Sequence, residues 1–421
     1  MYKRQDEHHA TKGKASKSAV AIAVAALMSA GAASAAYMAP NAYHEKGFVA
    51  TSHAQVADAK TSWETDEYKR NWGLKAMNAS SAYALGYHGQ GVKVGMMDSG
   101  FLTTHQELSG DRWHTVKTEG VYSQSGERYP QYAYKDEYGR PQSGDTGKYN
   151  KGDKFSVDGS FNPEYNDNHG TGCAGVYAGN RDGVGMHGVA WGSEFYSANT
   201  GGTDSTNYGP FLDYNFFKAG YDALVNSGVK IINNSFGTNL KQVDKNGNIV
   251  TYYQSGPVLT TRKDIEYEYF LFKKQYKEGP SFVDAAWDAV KGKDVIQVFT
   301  NGNNDRANPY HRALYPYFNP EAESQWIAIA GLKQVHKDSN PDNYQLEGNF
   351  NEAGYAKYWT LAAPGQNGYT SHIDAVDGTT HGDNYGKYSG TSMAAPFVSG
   401  AFAVLASRYQ DMSAVQVREV R

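Results

Sequence analysis

The stretch Lys387–Ala406, KYSGTSMAAPFVSGAFAVLA, decides how the rest of the chain is read. From Met393 onward it carries no charge and is almost wholly apolar or small, the composition of a helix buried on every side. Its opening is different. Ser392 stands at the start of that helix between Gly390 and the pair Ala394–Ala395. A hydroxyl is thus set at a helix N-terminus among residues with almost no side chain. Pro396 follows within the first turn or so, where a missing N–H costs least.

Upstream, apolar strands alternate with helical segments. VKVGMMD (92–98) is a strand that runs into Asp98, and HGTGCAGVYAG (169–179) opens a helix at His169. SEFYSA (193–198), VKIINNSFG (229–237), DVIQVFTNGN (294–303) and WIAIAGL (326–332) read as further strands. FFKAGYDALVNSG (216–228) and FVDAAWDAVKG (282–292) read as the helices between them. The alternation predicts an α/β fold, a mostly parallel sheet with helices on both faces. Two segments depart from it and read as long surface insertions. Residues 110–166 are rich in Tyr, Gly, Asp and Lys. Residues 239–281 carry the hairpin signal Lys245-Asn246-Gly247-Asn248 and then the charged run RKDIEYEYFLFKKQYKEG.

The 421 residues carry a net charge of -4 and no basic stripe, which speaks against a nucleic-acid partner. The 33 tyrosines and 46 glycines suit an exported protein with long surface loops. The N-terminus agrees. A polar, lysine-bearing start precedes SAVAIAVAALMSAGAASAA, which ends on the small-x-small pattern Ala33-Ser34-Ala35. Residues 1–35 read as a secretory signal peptide; the apolar run is short and Ala-rich for a membrane anchor. Residues 36–62 show no periodicity and read as a linker or short pro-segment, with the folded domain at 63–421. Cys173 is the sole cysteine, so no intramolecular disulfide can form.

Asp98, His169 and Ser392 each fall at a strand end or helix start, on the edge of an α/β sheet where ligands bind. Singly, MMDSG would be a turn, HGTGCAG a helix start and GTSMAAP a tight helix approach. Together, in the order Asp, His, Ser, they resemble the subtilisin-type serine endopeptidases, the subtilases. GTSMAAP is the most specific of the three. The resemblance runs from about Trp72 to the C-terminus outside the two insertions. It implies a subtilisin-like fold and hydrolysis of protein or peptide substrates through an acyl-enzyme. Ser392 would be the nucleophile, His169 the base and Asp98 its orienting partner. No cofactor is required for that chemistry.

The resemblance also assigns supporting residues. Asn303, in VFTNGNND, matches the side-chain oxyanion donor, with Asn301 and Asn304 as the flanking alternatives; the Ser392 N–H is the second donor. Ser235, Phe236 and Gly237 match the segment that pairs with substrate backbone and forms one wall of the primary specificity pocket. Thr300 to Gly302 form the other, and small residues there leave room for a sizeable apolar side chain. Cys173, one helical turn after His169, faces the same side as a small buried residue. Asn180–Met186 aligns with a calcium-binding loop, with Asp182 and Glu107 as carboxylate ligands for a structural Ca²⁺; Arg181 lies inside that loop.

TDEYKRNWGLKAMNASSAYALGYHGQGVKVGMMDSG and LYPYFNPEAESQWIAIAGL further resemble the subtilases carried as autotransporter passengers of Gram-negative bacteria. That implies a secreted or cell-surface protease, translocated across the outer membrane by a C-terminal barrel that this chain does not include. DMSAVQVREVR (411–421) reads as the start of a further helix, so the native gene is expected to run on past Arg421. The rival reading is a catalytically silent subtilase fold serving as a surface adhesin; the retained Asp98, His169, Ser392 and Asn303 argue against it. An α/β-hydrolase esterase would need the order Ser, Asp, His.

Overall fold

The computed structural model describes residues 47–127, 148–163, 165–202, 213–237, 241–243, 249–252, 261–276, 279–335, 343–373 and 384–420. The expected signal peptide and the expected turn at Lys245–Asn248 lie outside them.

One eight-stranded sheet organises the molecule. Its strands are β1 (Lys93–Asp98), β2 (Trp113–Thr115), β3 (Glu194–Asn199), β4 (Ile231–Asn234), β5 (Ile296–Thr300), β6 (Trp326–Gln334), β7 (Tyr344–Leu346) and β8 (Thr360–Pro364). The order is β7-β6-β5-β4-β1-β3-β2, with β8 also paired to β6. Every pairing is parallel except β6 with β7. This is the mostly parallel α/β architecture expected from the alternation.

A parallel sheet covered on both faces needs apolar residues on both. Along each central strand successive side chains enter opposite cores. Met96, Ile231, Val298 and Ile329 join one; Met97, Ile232, Phe299 and Ala328 join the other. The first core is closed by α2 (His169–Ala178) and α6 (Thr391–Arg408), the second by α3 (Tyr214–Asn226) and α5 (Phe282–Val290). In α6 every residue from Thr391 to Leu405 is buried, which explains its lack of a polar face. Among the described residues no helix is long and apolar enough to cross a membrane.

Two expectations change. Residues 47–62 are not a free linker. The Ala50 N–H bonds the Ala84 carbonyl at 2.9 Å. Helix α1 (Val56–Trp63) buries Ala59 and Trp63 in the first core, with the Trp63 ring stacked on Trp191. One tryptophan and a few alanines hold this segment, too sparse a set to show periodicity. Likewise, 110–166 is not all insertion. Residues Trp113–Thr115 form the edge strand β2, and a hairpin of Lys117–Val121 with Lys154–Asp158 sends Tyr122, Phe155 and Val157 into the second core. Tyr122 and Tyr149 are core residues whose rings hide their apolar content behind a polar letter. Within 239–281, helix α4 (Arg262–Gln275) docks through Ile265 and Phe272 and leaves Tyr267 and Phe270 exposed, so that insertion does lie on the surface. The strands Lys241–Val243 and Ile249–Tyr252 pair antiparallel on either side of the expected turn.

The candidate active site

Parallel register brings the C-terminal ends of four neighbouring strands to one edge. Asp98 lies level with Asn199, Met97 with Asn234, and Asn234 with Phe299. Helices α2 and α6 begin at that edge. Asp98 and His169, far apart in sequence, therefore meet, and Cys173, one turn after His169, reaches the Ser392 carbonyl.

The Asp98 carboxylate is fully buried. Its Oδ1 accepts the Ser99 N–H and the His169 Nδ1–H, both at 2.8 Å. An ionised carboxylate can only accept, so the hydrogen sits on Nδ1 and Nε2 presents its lone pair. Two acceptors fix the start of α2, whose first N–H groups have no partner within the helix. Asp167 Oδ1 takes the His169 N–H at 3.2 Å, and Ser99 Oγ takes the Gly170 N–H at 3.0 Å.

Cys173 is buried one turn on, its Sγ 3.7 Å from His169 Nδ1 and 3.9 Å from Nε2. Burial pushes its thiol up to about 11, which keeps it uncharged beside the imidazole and unsuited to act as a nucleophile.

Ser392 is the second residue of α6, and its hydroxyl donates to the Ser235 carbonyl at 2.9 Å. Pro396 is the sixth residue of α6, deeper than the first-turn position expected of it. There its missing N–H would have bonded the Ser392 carbonyl four residues back. Ser235 Oγ supplies that bond at 2.8 Å, with the Cys173 thiol at 3.6 Å. The proline thus frees the carbonyl of the candidate nucleophile to tie α6 to β4. Ala394 and Ala395 are fully buried, so they line the core and not the approach to Ser392.

Of the three asparagines after β5, Asn303 is the one turned toward α6. Its Oδ1 accepts the Thr391 N–H at 2.8 Å and the Thr391 hydroxyl at 2.9 Å. Its Nδ2 lies 3.2 Å from where a Cβ on Gly390 would stand. Asn301 is buried with its Nδ2 on the Glu352 carbonyl, and Asn304 accepts the Tyr310 hydroxyl. Between them Gly302 has φ +114°, and a Cβ there would meet the Tyr310 ring at 2.4 Å. No other residue fits this turn.

The wall expected from Ser235, Phe236 and Gly237 is only partly made of side chains. Ser235 adjoins Ser392, but the Phe236 ring is fully buried among Phe217 and Phe282, leaving only its backbone for a substrate. Nor is the space between this wall and Thr300–Gly302 apolar. The Arg312 guanidinium stands against Gly237, its Nη2 donating to Thr300 Oγ1 at 3.3 Å. Arg312 lies twelve residues beyond Thr300, outside every motif, and nothing in the local sequence marks it.

A second cluster lies away from this edge. One carboxylate oxygen from each of Glu67, Glu107 and Asp182 falls within 4.8 Å of the others. Glu67 accepts the Asp182 N–H at 3.1 Å and the Gly183 N–H at 3.2 Å. Glu107 Oε1 accepts the Tyr385 hydroxyl at 2.7 Å, while its Oε2 is buried without a protein donor. Burial pushes Glu67 up to about 7 and Glu107 up to about 9. Arg181 turns its guanidinium onto the Trp63 ring, 4.6 Å from the centroid. An all-oxygen set of three acids, one with an orphaned oxygen, fits a hard divalent cation. Glu67 was not legible as a member; it precedes the loop by more than a hundred residues.

Comparison with known proteins bears on family and fold. An extracellular serine protease of Serratia marcescens is 29% identical over 391 residues, covering 86% of this chain and 32% of its own. The Neisserial autotransporter lipoprotein NalP of Neisseria meningitidis serogroup B is 26% identical over 196 residues, 44% of this chain and 17% of its own. The chain thus spans about a third, or less, of the length of these curated relatives. Among solved structures, fervidolysin of Fervidobacterium pennivorans, a keratinolytic enzyme related to subtilisin, superposes with a TM-score of 0.51 at 20% identity. That match covers 85% of this chain and 42% of fervidolysin, and speaks to the fold. The sequence profile of the subtilase family, Peptidase S8, matches residues 89–421, and the chain belongs to that family.

Proposed function

We propose that this subtilase is an exported serine endopeptidase acting through Asp98, His169 and Ser392. The observation that carries the reading is the 2.8 Å bond from His169 Nδ1–H to the buried Asp98, which leaves the Nε2 lone pair to act as the base. The Ser392 hydrogen turns from the Ser235 carbonyl to Nε2 as Oγ attacks the scissile carbonyl. Asp98 stabilises the imidazolium, which then protonates the leaving amine. The oxyanion meets two donors that need no rearrangement, Asn303 Nδ2 and the Ser392 N–H at the start of α6. Water repeats the sequence on the acyl-enzyme.

Glu67, Glu107 and Asp182 would hold a structural Ca²⁺, which neutralises three crowded carboxylates and takes no part in bond cleavage. A chelator should then lower Tm, with calcium restoring it, and Glu107→Gln should abolish the calcium-dependent part. The extracellular Serratia relative and the autotransporter relative support export and a protein or peptide substrate.

Digestion of a peptide library by the purified protein tests the reading, with Ser392→Ala as control. Cleavage by the parent and none by the variant supports it. Equal cleavage by both places the chemistry elsewhere.

A further inference from the structure

The turn that carries Asn303 is held from outside by one residue of a distant segment. β5 is still tied to the sheet where the Asn301 N–H donates to the Ile329 carbonyl of β6 at 2.9 Å. Beyond that point the chain leaves the sheet, and Gly302 takes φ +114°. The segment that follows β7 runs beside this turn. The Asp305 N–H donates to the Asn349 carbonyl at 3.1 Å, and the Glu352 N–H to the Arg306 carbonyl at 2.7 Å. In sequence between Asn349 and Glu352 lies Asn351, which is 1% exposed.

Asn351 bonds the turn three times. Its backbone N–H donates to the Gly302 carbonyl at 2.8 Å. Its Nδ2 donates to the Asn301 carbonyl at 2.9 Å, and its Oδ1 accepts the Asn304 N–H at 2.9 Å. A carbonyl only accepts and a backbone N–H only donates, so the amide fits one way round. A Cβ on Gly302 would lie 2.7 Å from Asn351 Nδ2, so glycine at 302 makes room for this amide as well. Asn351 thus grips the two residues before Asn303 and the one after it. Asn303 itself is left to Thr391, which fixes its side-chain Oδ1. Tyr310 also reaches the turn, through its N–H on the Asn301 carbonyl and its hydroxyl on Asn304. Tyr310 belongs to the same loop, however, and moves with it. An oxyanion donor must be held within about 0.5 Å of its productive place, and a misplacement of about 1 Å can cost about 10²-fold in rate. A turn that has left the sheet and contains a glycine has no such precision of its own.

We propose that Asn351 is a positioning residue for the oxyanion site: it locks the turn 301–304 so that Asn303 Nδ2 is aimed before substrate binds. The inference rests on the proteolytic reading above, with Asn303 as the side-chain donor. Thr391 sets the rotation of the Asn303 amide, and Asn351 sets the backbone from which that amide hangs. The effect of Asn351 on the reaction passes through Asn303 alone.

The test is a double-mutant cycle. Asn351→Ala, Asn303→Ala and the double variant are assayed beside the parent on one fluorogenic peptide. Each kcat is referred to the serines that a fluorophosphonate labels at completion, so unfolded chains are not counted. Asn71→Ala is the control. That amide is also 1% exposed, and it bonds the Gly73 N–H and the Tyr369 carbonyl, neither of which belongs to the turn. Asn351→Ala is expected to lower kcat about 10- to 100-fold with KM within about threefold of the parent, the pattern of an interaction made in the transition state. In the Asn303→Ala background the same change should cost less than about twofold more, because the donor it aims is gone. Asn71→Ala should lower Tm without the loss in kcat. If Asn351→Ala does not fold, the same comparison is made with Asn351→Asp, which keeps the shape and the acceptor for the Asn304 N–H but loses the donor to Asn301. An unchanged kcat overturns the inference. So does a loss repeated in full in the Asn303→Ala background, which marks a merely structural role. If the parent cuts no peptide and Ser392 takes no label, the proteolytic reading falls, and this inference with it. Cleavage by the parent that Asn303→Ala leaves intact overturns the inference and leaves that reading standing.

Discussion

Asn303 carries the sharpest prediction at the scale of single residues. Its Oδ1 is held by Thr391, so in the proposed mechanism its amide hydrogens are already aimed when charge develops on the substrate oxygen. Such a bond is made mainly in the transition state. Asn303→Ala should therefore lower kcat by about 10²–10³ with little change in KM; a large loss from Asn301→Ala or Asn304→Ala instead would show the wrong donor was chosen. His187 bears on stability. It is fully buried, its Nδ1–H donates to the Gly188 carbonyl at 2.8 Å, and burial, aided by Arg181, pushes it down to about 3. The unfolded chain takes up a proton near the ordinary value of 6.5 that the folded chain refuses. Stability is thus full above that pH and falls as pH drops toward 3, by about 2 kcal/mol at pH 5. His187→Phe should flatten the decline in Tm between about pH 7 and pH 5, and an unaltered decline would discard this explanation. Asp98, His169 and Ser392 were legible as candidates because each lies in a short motif with its own backbone demands. Glu67 and Arg312 were not, since tertiary contact alone brings them to their sites. Thr300 to Gly302 showed small walls, but what stands between those walls is a side chain from a later loop.

At the scale of elements, periodicity found the strands and helices whose two faces differ in letter, and missed those held by a few large contacts. Helix α1 is the main case. Trp63 stacks on Trp191, donates its Nε1–H to the Phe48 carbonyl at 2.9 Å and lies under Arg181. Its removal should act as a core truncation: Trp63→Ala is expected to cost about 3–5 kcal/mol. Denaturant unfolding measures this directly, and a loss below about 1 kcal/mol would return the segment to the status of a linker. Helix α6 was legible as buried from its composition, yet the place of Pro396 was misjudged. Its depth in the helix acquires meaning only with Ser235 in view, because the carbonyl it releases is that of Ser392.

For the whole molecule, strand–helix alternation gave the parallel sheet, and the sheet gave the site. Asp98, the Ser235 wall and the Asn303 turn all leave the C-terminal edges of β1, β4 and β5, and α2 and α6 start above them. Strand order was not legible, since β2 and the hairpin of 117–121 with 154–158 are drawn from a tyrosine-rich segment with no clean alternation. The central claim is that these elements assemble an activated serine at position 392. Its most direct test is a fluorophosphonate adduct located by mass spectrometry on the intact protein and its peptides. The account predicts one adduct per chain, on Ser392, formed at least about a hundredfold more slowly in His169→Ala, which lacks the base. No adduct on Ser392, or one formed equally fast without His169, would contradict it.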